Sequence, residues 1–175
     1  MSEHYRLLGE KVDAFFARVV ARHPEELQCD RGCYDCCDVR LTITAVEAAA
    51  VRAAWHALSD ERRAEVRATW RPDATACAAL DRQGRCAVYS GRPLVCRSHG
   101  VPIRLAGEKA SLPVIQACFR NFGDRGPEAA DADCVLDQTT LSAMLLLVEQ
   151  QDAEACGREA GLRMDLAEVL REPVG

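Results

Sequence analysis

Four of the ten cysteines in this 175-residue chain fall within nine residues, Cys29-Asp-Arg-Gly-Cys33-Tyr-Asp-Cys36-Cys37. Spacings of three and two residues let one tight turn aim several sulfurs at a common centre, and Gly32 supplies the backbone freedom that such a knuckle needs. Cys36 and Cys37 are adjacent, so their side chains diverge by roughly 100° in a helix and point to opposite faces in a strand. They are therefore not expected to serve one metal together. Either two centres lie close by, or one of the pair packs beside the site. A second group comprises Cys77, Cys86 and Cys96, with Cys118 further on. Gly84 just before Cys86 predicts a hairpin turn, and Pro93 suits the first position of a short helix carrying Cys96. The hairpin and helix would bring these thiols together.

How such cysteines are read depends on the compartment. The start, Met-Ser-Glu-His-Tyr-Arg, lacks the basic and apolar regions of a signal peptide. No window approaches the ~18 to 20 apolar residues of a membrane helix. A cytoplasmic protein is expected, with no membrane partner, and in a reducing compartment dense cysteines read as metal ligation or catalysis rather than disulfides. Apolar residues make up 49% of the chain, enough for a core without cross-links. A net charge of −5 argues against nucleic acid as a partner, because that affinity comes mainly from cations neutralising phosphates. Only Lys11 and Lys109 are lysines, and this Arg- and Ala-rich composition suggests a GC-rich bacterial genome.

The periodicity predicts a mainly α fold: a small helical domain with an irregular, cysteine-rich, metal-organised central region and one short β-hairpin. Leu8, Val12, Phe15 or Phe16 and Val19 mark a helix over Tyr5–Arg22 that ends at His23-Pro24. Thr44-Ala-Val-Glu47 is a capping-box pattern opening a helix to about Leu58. Ser59 caps a further helix over Asp60–Trp70, which stops before Arg71-Pro72. The hairpin runs from Pro102-Ile-Arg-Leu-Ala across Gly107-Glu-Lys to Ser111-Leu-Pro-Val-Ile. Leu136 to about Cys156 forms the second long helix, and a short one covers Asp165–Arg171. Residues 1–175 are read as a single domain, with residues 29–118 as the metal-binding region and 136–172 as a C-terminal helical segment. Ordering irregular chain is costly, and ligation can supply what a thin local core does not.

Four thiolates around Zn²⁺ leave a net −2, so Arg92 and Arg97 are expected to donate hydrogen bonds to the sulfurs, with Arg31 and Arg40 more simply surface residues. His99 reads as a helix-end or surface histidine. His4, His23 and His56 have no ligand context, and Cys134 and Cys156 read as packing residues. All-thiolate sites suit zinc and iron alike. The Cys29, Cys33, Cys36 spacing also matches the cluster ligands of radical S-adenosylmethionine enzymes, but this helical chain lacks their strand–helix barrel pattern. The same spacing makes a 4Fe–4S cluster with a fourth ligand from the second group geometrically reasonable. A thiol oxidoreductase using Cys33-Tyr-Asp-Cys36 lacks its βαβ surroundings.

Cys29-x₃-Cys33-x₂-Cys36-Cys37, a helix opened by Ile43-Thr44-x-x-Glu47, and Cys77-x-x-Leu…Gly-x-Cys86-x-Val-Tyr-x-x-Arg-Pro-x-x-Cys96-Arg together resemble the YkgJ-type cysteine-cluster proteins, the CxxCxxCC zinc- or iron-chelating domain. The resemblance covers about residues 29–118. It implies metal held by Cys29, Cys33, Cys36, Cys37, Cys77, Cys86, Cys96 and Cys118, in a metal-binding protein whose own catalysis is left open. Similar domains attached to flagellin lysine methylases keep the alternative of an iron–sulfur protein with a redox or methylation-linked role.

Overall fold

The computed structural model describes residues 2–29, 33–71, 75–107 and 112–171. In chain order it contains α1 (Glu3–Arg22), β1 (Thr42–Thr44), α2 (Ala45–His56), α3 (Asp60–Arg67), α4 (Leu94–Ser98), β2 (Ile103–Leu105), β3 (Val114–Gln116), β4 (Leu136–Asp137), α5 (Gln138–Cys156), β5 (Arg163–Asp165) and α6 (Leu166–Arg171). The fold is mainly α, with no strand among these longer than three residues. Among the described residues no helix is long and apolar enough to cross a membrane. The chain divides into two compact units. One is formed by residues 1–2, 30–93 and 149–175, the other by 3–29 and 94–148.

In the first unit, α2 and α6 supply most of the core, where Val51, Trp55, Leu166 and Leu170 pack with Ile43 of β1 and Val66 of α3. The capping box forms as its spacing predicts: Glu47 Oε2 accepts the Thr44 N–H at 2.9 Å and the Thr44 hydroxyl at 3.0 Å. A second cap comes from far along the chain. The buried Glu149 carboxylate accepts the Val46 N–H at 3.0 Å, and Arg158 Nη1 neutralises it at 2.5 Å. Ser59 Oγ accepts Arg62 N–H, starting α3 where expected. The helix ends three residues early, at Arg67, because the Thr69 and Trp70 N–H groups turn back to Val66 and Arg67 in tighter turns. β1 pairs antiparallel with β5 in the register Ile43↔Met164. Neither strand shows in the periodicity.

In the second unit, α1 packs on α4. The predicted hairpin is present as β2 and β3, paired Ile103↔Gln116 to Leu105↔Val114, with turn residues 108–111 outside the described residues. Leu136–Asp137, expected as the start of the long helix, instead forms β4, parallel to β2, with the Leu136 N–H on the Pro102 carbonyl at 2.8 Å. Val19, Val101, Phe122 and Cys134 form the apolar centre of this unit.

One carboxylate fixes the turn between Cys77 and Cys86. Asp81 Oδ1 accepts the N–H groups of Gln83 and Arg85 at 2.9 Å each, while Oδ2 takes Arg62 at 2.5 Å and Arg85 Nε at 3.0 Å. Burial alone would raise its pKa, but these four donors outweigh it and hold the carboxyl at about 2. A depressed carboxyl stabilises the fold fully above its unfolded value of ~3.9, and this contribution is lost as pH falls through about 2. Asp81→Asn is predicted to cost roughly 1–3 kcal/mol near neutral pH. Urea titrations should show that difference shrinking between about pH 4 and 2; a pH-independent difference would refute this account of the turn.

Candidate metal centre

Five of the cysteines singled out by the sequence, Cys33, Cys36, Cys37, Cys77 and Cys86, belong to the first unit. Cys36 and Cys37 lie on a short 3₁₀ turn, Asp35–Cys37, closed by the Cys37 N–H on the Tyr34 carbonyl at 2.8 Å. Their sulfurs approach to 4.0 Å. This corrects the expectation that adjacent side chains diverge. Backbone geometry directs the Cβ atoms, whereas rotation about χ1 still swings each Sγ. A tetrahedral zinc with Zn–S of about 2.3 Å sets its sulfurs roughly 3.8 Å apart, so the pair spans one edge of such a site.

Three contacts dock this turn on the segment carrying Cys77 and Cys86. The Cys77 N–H donates to the Cys37 carbonyl at 2.7 Å, and the Thr75 hydroxyl donates to Asp38. The Tyr34 ring lies over Gly84, where a Cβ would stand 2.3 Å from a ring carbon, and φ of +71° independently favours glycine. Gly84 thus makes the turn foreseen from sequence and also clears the space that Tyr34 fills. Beyond that turn an antiparallel bridge joins Leu80 to Cys86.

The thiols differ in ionisation. A hydrogen bond from Cys37 draws Cys36 down to about 7, so near neutral pH it is in part a thiolate. Burial pushes Cys77 up, with the neighbouring Cys36 adding to the effect. Burial likewise pushes Cys86 up to about 11, against a partial pull from Arg92. Arg92 itself sits on Tyr89, its guanidinium 3.9 Å from the ring centroid and its Nη1 donating to the Tyr89 carbonyl at 3.1 Å. Cys77 also lines an open cavity of about 260 Å³ with Tyr34, Arg40, Trp70 and Arg82, which gives an ion access from solvent. Arg40 is exposed; Arg31 and Gly32 lie outside the described residues.

Cys29, Cys96 and Cys118 belong to the second unit. Sequence reasoning missed the residue that positions Cys29. Asn121 Nδ2 donates to Cys29 Sγ at 3.2 Å and to the Gly100 carbonyl at 2.7 Å, while its Oδ1 accepts the Gln28 N–H at 2.8 Å. A Cβ on Gly100 would meet the Cys29 sulfur at 2.7 Å. The three-residue step from Cys118 to Asn121, closed by the Asn121 N–H on the Cys118 carbonyl, was the available signal. Cys96 is half-buried on α4, which follows Pro93 as expected, and His99 is exposed just past it. Arg97 is no exposed-face residue. It is buried, paired with Asp13 of α1, and lies against Gly9.

His23, read from the sequence as lacking any ligand context, has one. One of its ring nitrogens, an Asp131 carboxylate oxygen and the Cys134 sulfur all lie within 4.8 Å of one another, and among the described residues this is the one such trio of potential metal donors. Cys134 is fully buried, in keeping with a packing role, whereas Cys156 is exposed at the end of α5, which corrects its reading as a packing residue.

Residues 28–113 match the model of the CxxCxxCC family, described as "Putative zinc- or iron-chelating domain". No curated protein and no solved structure matches the chain. The cysteines from Cys29 to Cys96 lie inside the matched region and Cys118 five residues beyond it.

Gly84→Ala is predicted to displace Tyr34, because the added Cβ would stand 2.3 Å from a ring carbon. The expected signature is a loss of about 1–3 kcal/mol in unfolding free energy, with faster alkylation of Cys33 and Cys36 in the metal-free protein. Unchanged labelling of these two cysteines would show that Tyr34 does not hold the first cluster in place.

Proposed function

With residues 28–113 a member of the CxxCxxCC family, we propose that the chain binds zinc or iron through the thiolates of Cys29, Cys33, Cys36, Cys37, Cys77, Cys86, Cys96 and Cys118. The observation that carries this reading is the Cys36–Cys37 pair, two sulfurs 4.0 Å apart on an irregular loop. That separation suits two ligands of one tetrahedral ion. A bound ion would supply the cross-link that ordered loops without regular pairing otherwise lack. The chain's own groups do the rest. Tyr34 on Gly84 and the Cys77–Cys37 backbone bond hold the loops together, Arg92 offsets thiolate charge at Cys86, and Asn121 donates to Cys29. Arg97 acts on Cys96 through α4, which its pairing with Asp13 ties to α1.

Ligation displaces the protons of Cys77 and Cys86, so metal affinity should fall as pH is lowered. Protein purified without oxygen is expected to carry about one or more zinc or iron per chain, with an all-sulfur first shell by X-ray absorption. Cys36→Ser should reduce that content, since a hydroxyl of much higher pKa does not replace a thiolate. Less than about 0.2 metal per chain would overturn the reading, because structural thiolate sites bind too tightly to empty on a column. Broad visible absorbance together with inorganic sulfide would identify an iron–sulfur cluster in place of mononuclear ions.

A further inference from the structure

We propose that His23, Asp131 and Cys134 form a separate mixed-donor site for a zinc-like divalent cation, apart from the cysteine set of the matched region. All three residues belong to the unit formed by 3–29 and 94–148. His23 closes α1, its N–H on the Val19 carbonyl at 2.9 Å. The ring is 9% exposed and set against Phe122 at 5.4 Å between centroids, so its orientation is fixed by packing. Opposite it, the Cys134 N–H donates to the Asp131 carbonyl at 2.8 Å in a 3₁₀ turn. In such a turn side chains three apart eclipse, so Asp131 and Cys134 rise from the backbone on the same side, the side of the imidazole.

The donor chemistry is that of a zinc site. His23 Nε2 accepts the Asp131 N–H at 3.4 Å, a long contact that places the ring proton on Nδ1; an ion entering the trio takes that single lone pair in place of this N–H. The Asp131 carboxylate lies 3.8 Å from that nitrogen. Among the described residues the Cys134 thiol makes no hydrogen bond, although its residue is fully buried. Imidazole and thiolate donors select zinc-like ions over magnesium or calcium. On binding, the Cys134 thiol proton passes to solvent, and one thiolate and one carboxylate balance the charge of the dication.

Three protein donors leave a fourth position for water or an incoming ligand, the arrangement of exchangeable rather than closed zinc sites. Access runs through Asp131, whose side chain is 51% exposed. Arg22 holds Asp131 at 3.0 Å and Asp133 at 3.5 Å, and Arg18 donates to the Asp133 carbonyl at 3.1 Å. These arginines fasten the turn to α1, and Arg22 competes with the ion for Asp131. The ion bound here is therefore expected to be released by weaker chelators than an all-thiolate site requires.

The test is equilibrium dialysis of the full chain against zinc, followed by elemental analysis, on the wild type and on Cys134→Ser, His23→Gln and Asp131→Ala. The wild type should hold one equivalent more than the Cys134 and His23 variants. Asp131→Ala should weaken that equivalent by more than the 10- to 100-fold lost with an outer partner of a metal ligand. Cobalt substitution should give a visible difference spectrum between wild type and His23→Gln. Equal stoichiometry in all four proteins would overturn the site. If the Cys134 change disrupts folding, Asp131→Ala at its exposed position decides alone. Every variant keeps the eight cysteines of the proposed thiolate set, so the difference counts only this trio. Loss of the thiolate-bound metal with this equivalent retained would refute the previous reading and leave this one standing.

Discussion

One backbone hydrogen bond, from the Cys77 N–H to the Cys37 carbonyl at 2.7 Å, joins two cysteine-bearing segments forty residues apart that, among the described residues, share no regular strand or helix. Loops of this kind do not bury enough apolar surface to fix their own course. Their geometry has to be imposed by a few polar contacts and by shape. The Tyr34 ring over Gly84 supplies the shape, and the Asp81 carboxylate, with four donors around it, supplies a turn of fixed curvature. Two of the thiols on these loops lie far apart in ionisation, Cys36 drawn down to about 7 and the half-buried Cys86 pushed up to about 11.

Arginine does most of the long-range polar work. Arg63 donates to the Leu58 carbonyl at 2.6 Å and the His56 carbonyl at 3.3 Å, closing the end of α2, while Arg62 braces the Asp81 turn and Arg158 neutralises a buried carboxylate. A planar, permanently charged fork can serve several oxygens at once, and a lysine ammonium would satisfy these sites only in part. The same versatility makes an arginine beside a cysteine ambiguous from sequence alone. Arg92 stacks on Tyr89 and exerts only a charge effect on the Cys86 thiol, whereas Arg97, the neighbour of Cys96 in the chain, pairs with Asp13 of another helix.

The helices were legible because their signals are local. The apolar stripe of α1, the Thr44–Glu47 box and the Ser59 cap all lie within a few residues of what they control. The β2–β3 hairpin was readable for the same reason. β1, β4 and β5 were not, since strands of two or three residues owe their conformation to a partner far along the chain, and Thr42 finds its own at Asp165. At the site, spacing and resemblance named the cysteines, but the close approach of Cys36 and Cys37 depends on side-chain rotation, which spacing does not encode. Asn121 and the His23–Asp131–Cys134 trio were hidden by distance: His23 and Asp131 are 108 residues apart and meet only through tertiary packing.

The matched family region, residues 28–113, does not contain its own foundations. Val46 inside it is capped by Glu149, Ile43 pairs with Met164, and the core around Val51 and Trp55 is completed by Leu166 and Leu170. A fragment cut at residue 113 would bare a helix N-terminus, a strand edge and an apolar surface at once. The cysteine cluster is thus not a portable cassette. Grafting it into another protein would require transplanting residues 149–171 as well, and splitting the gene between the two stretches should yield halves that recover a fold only on reassociation.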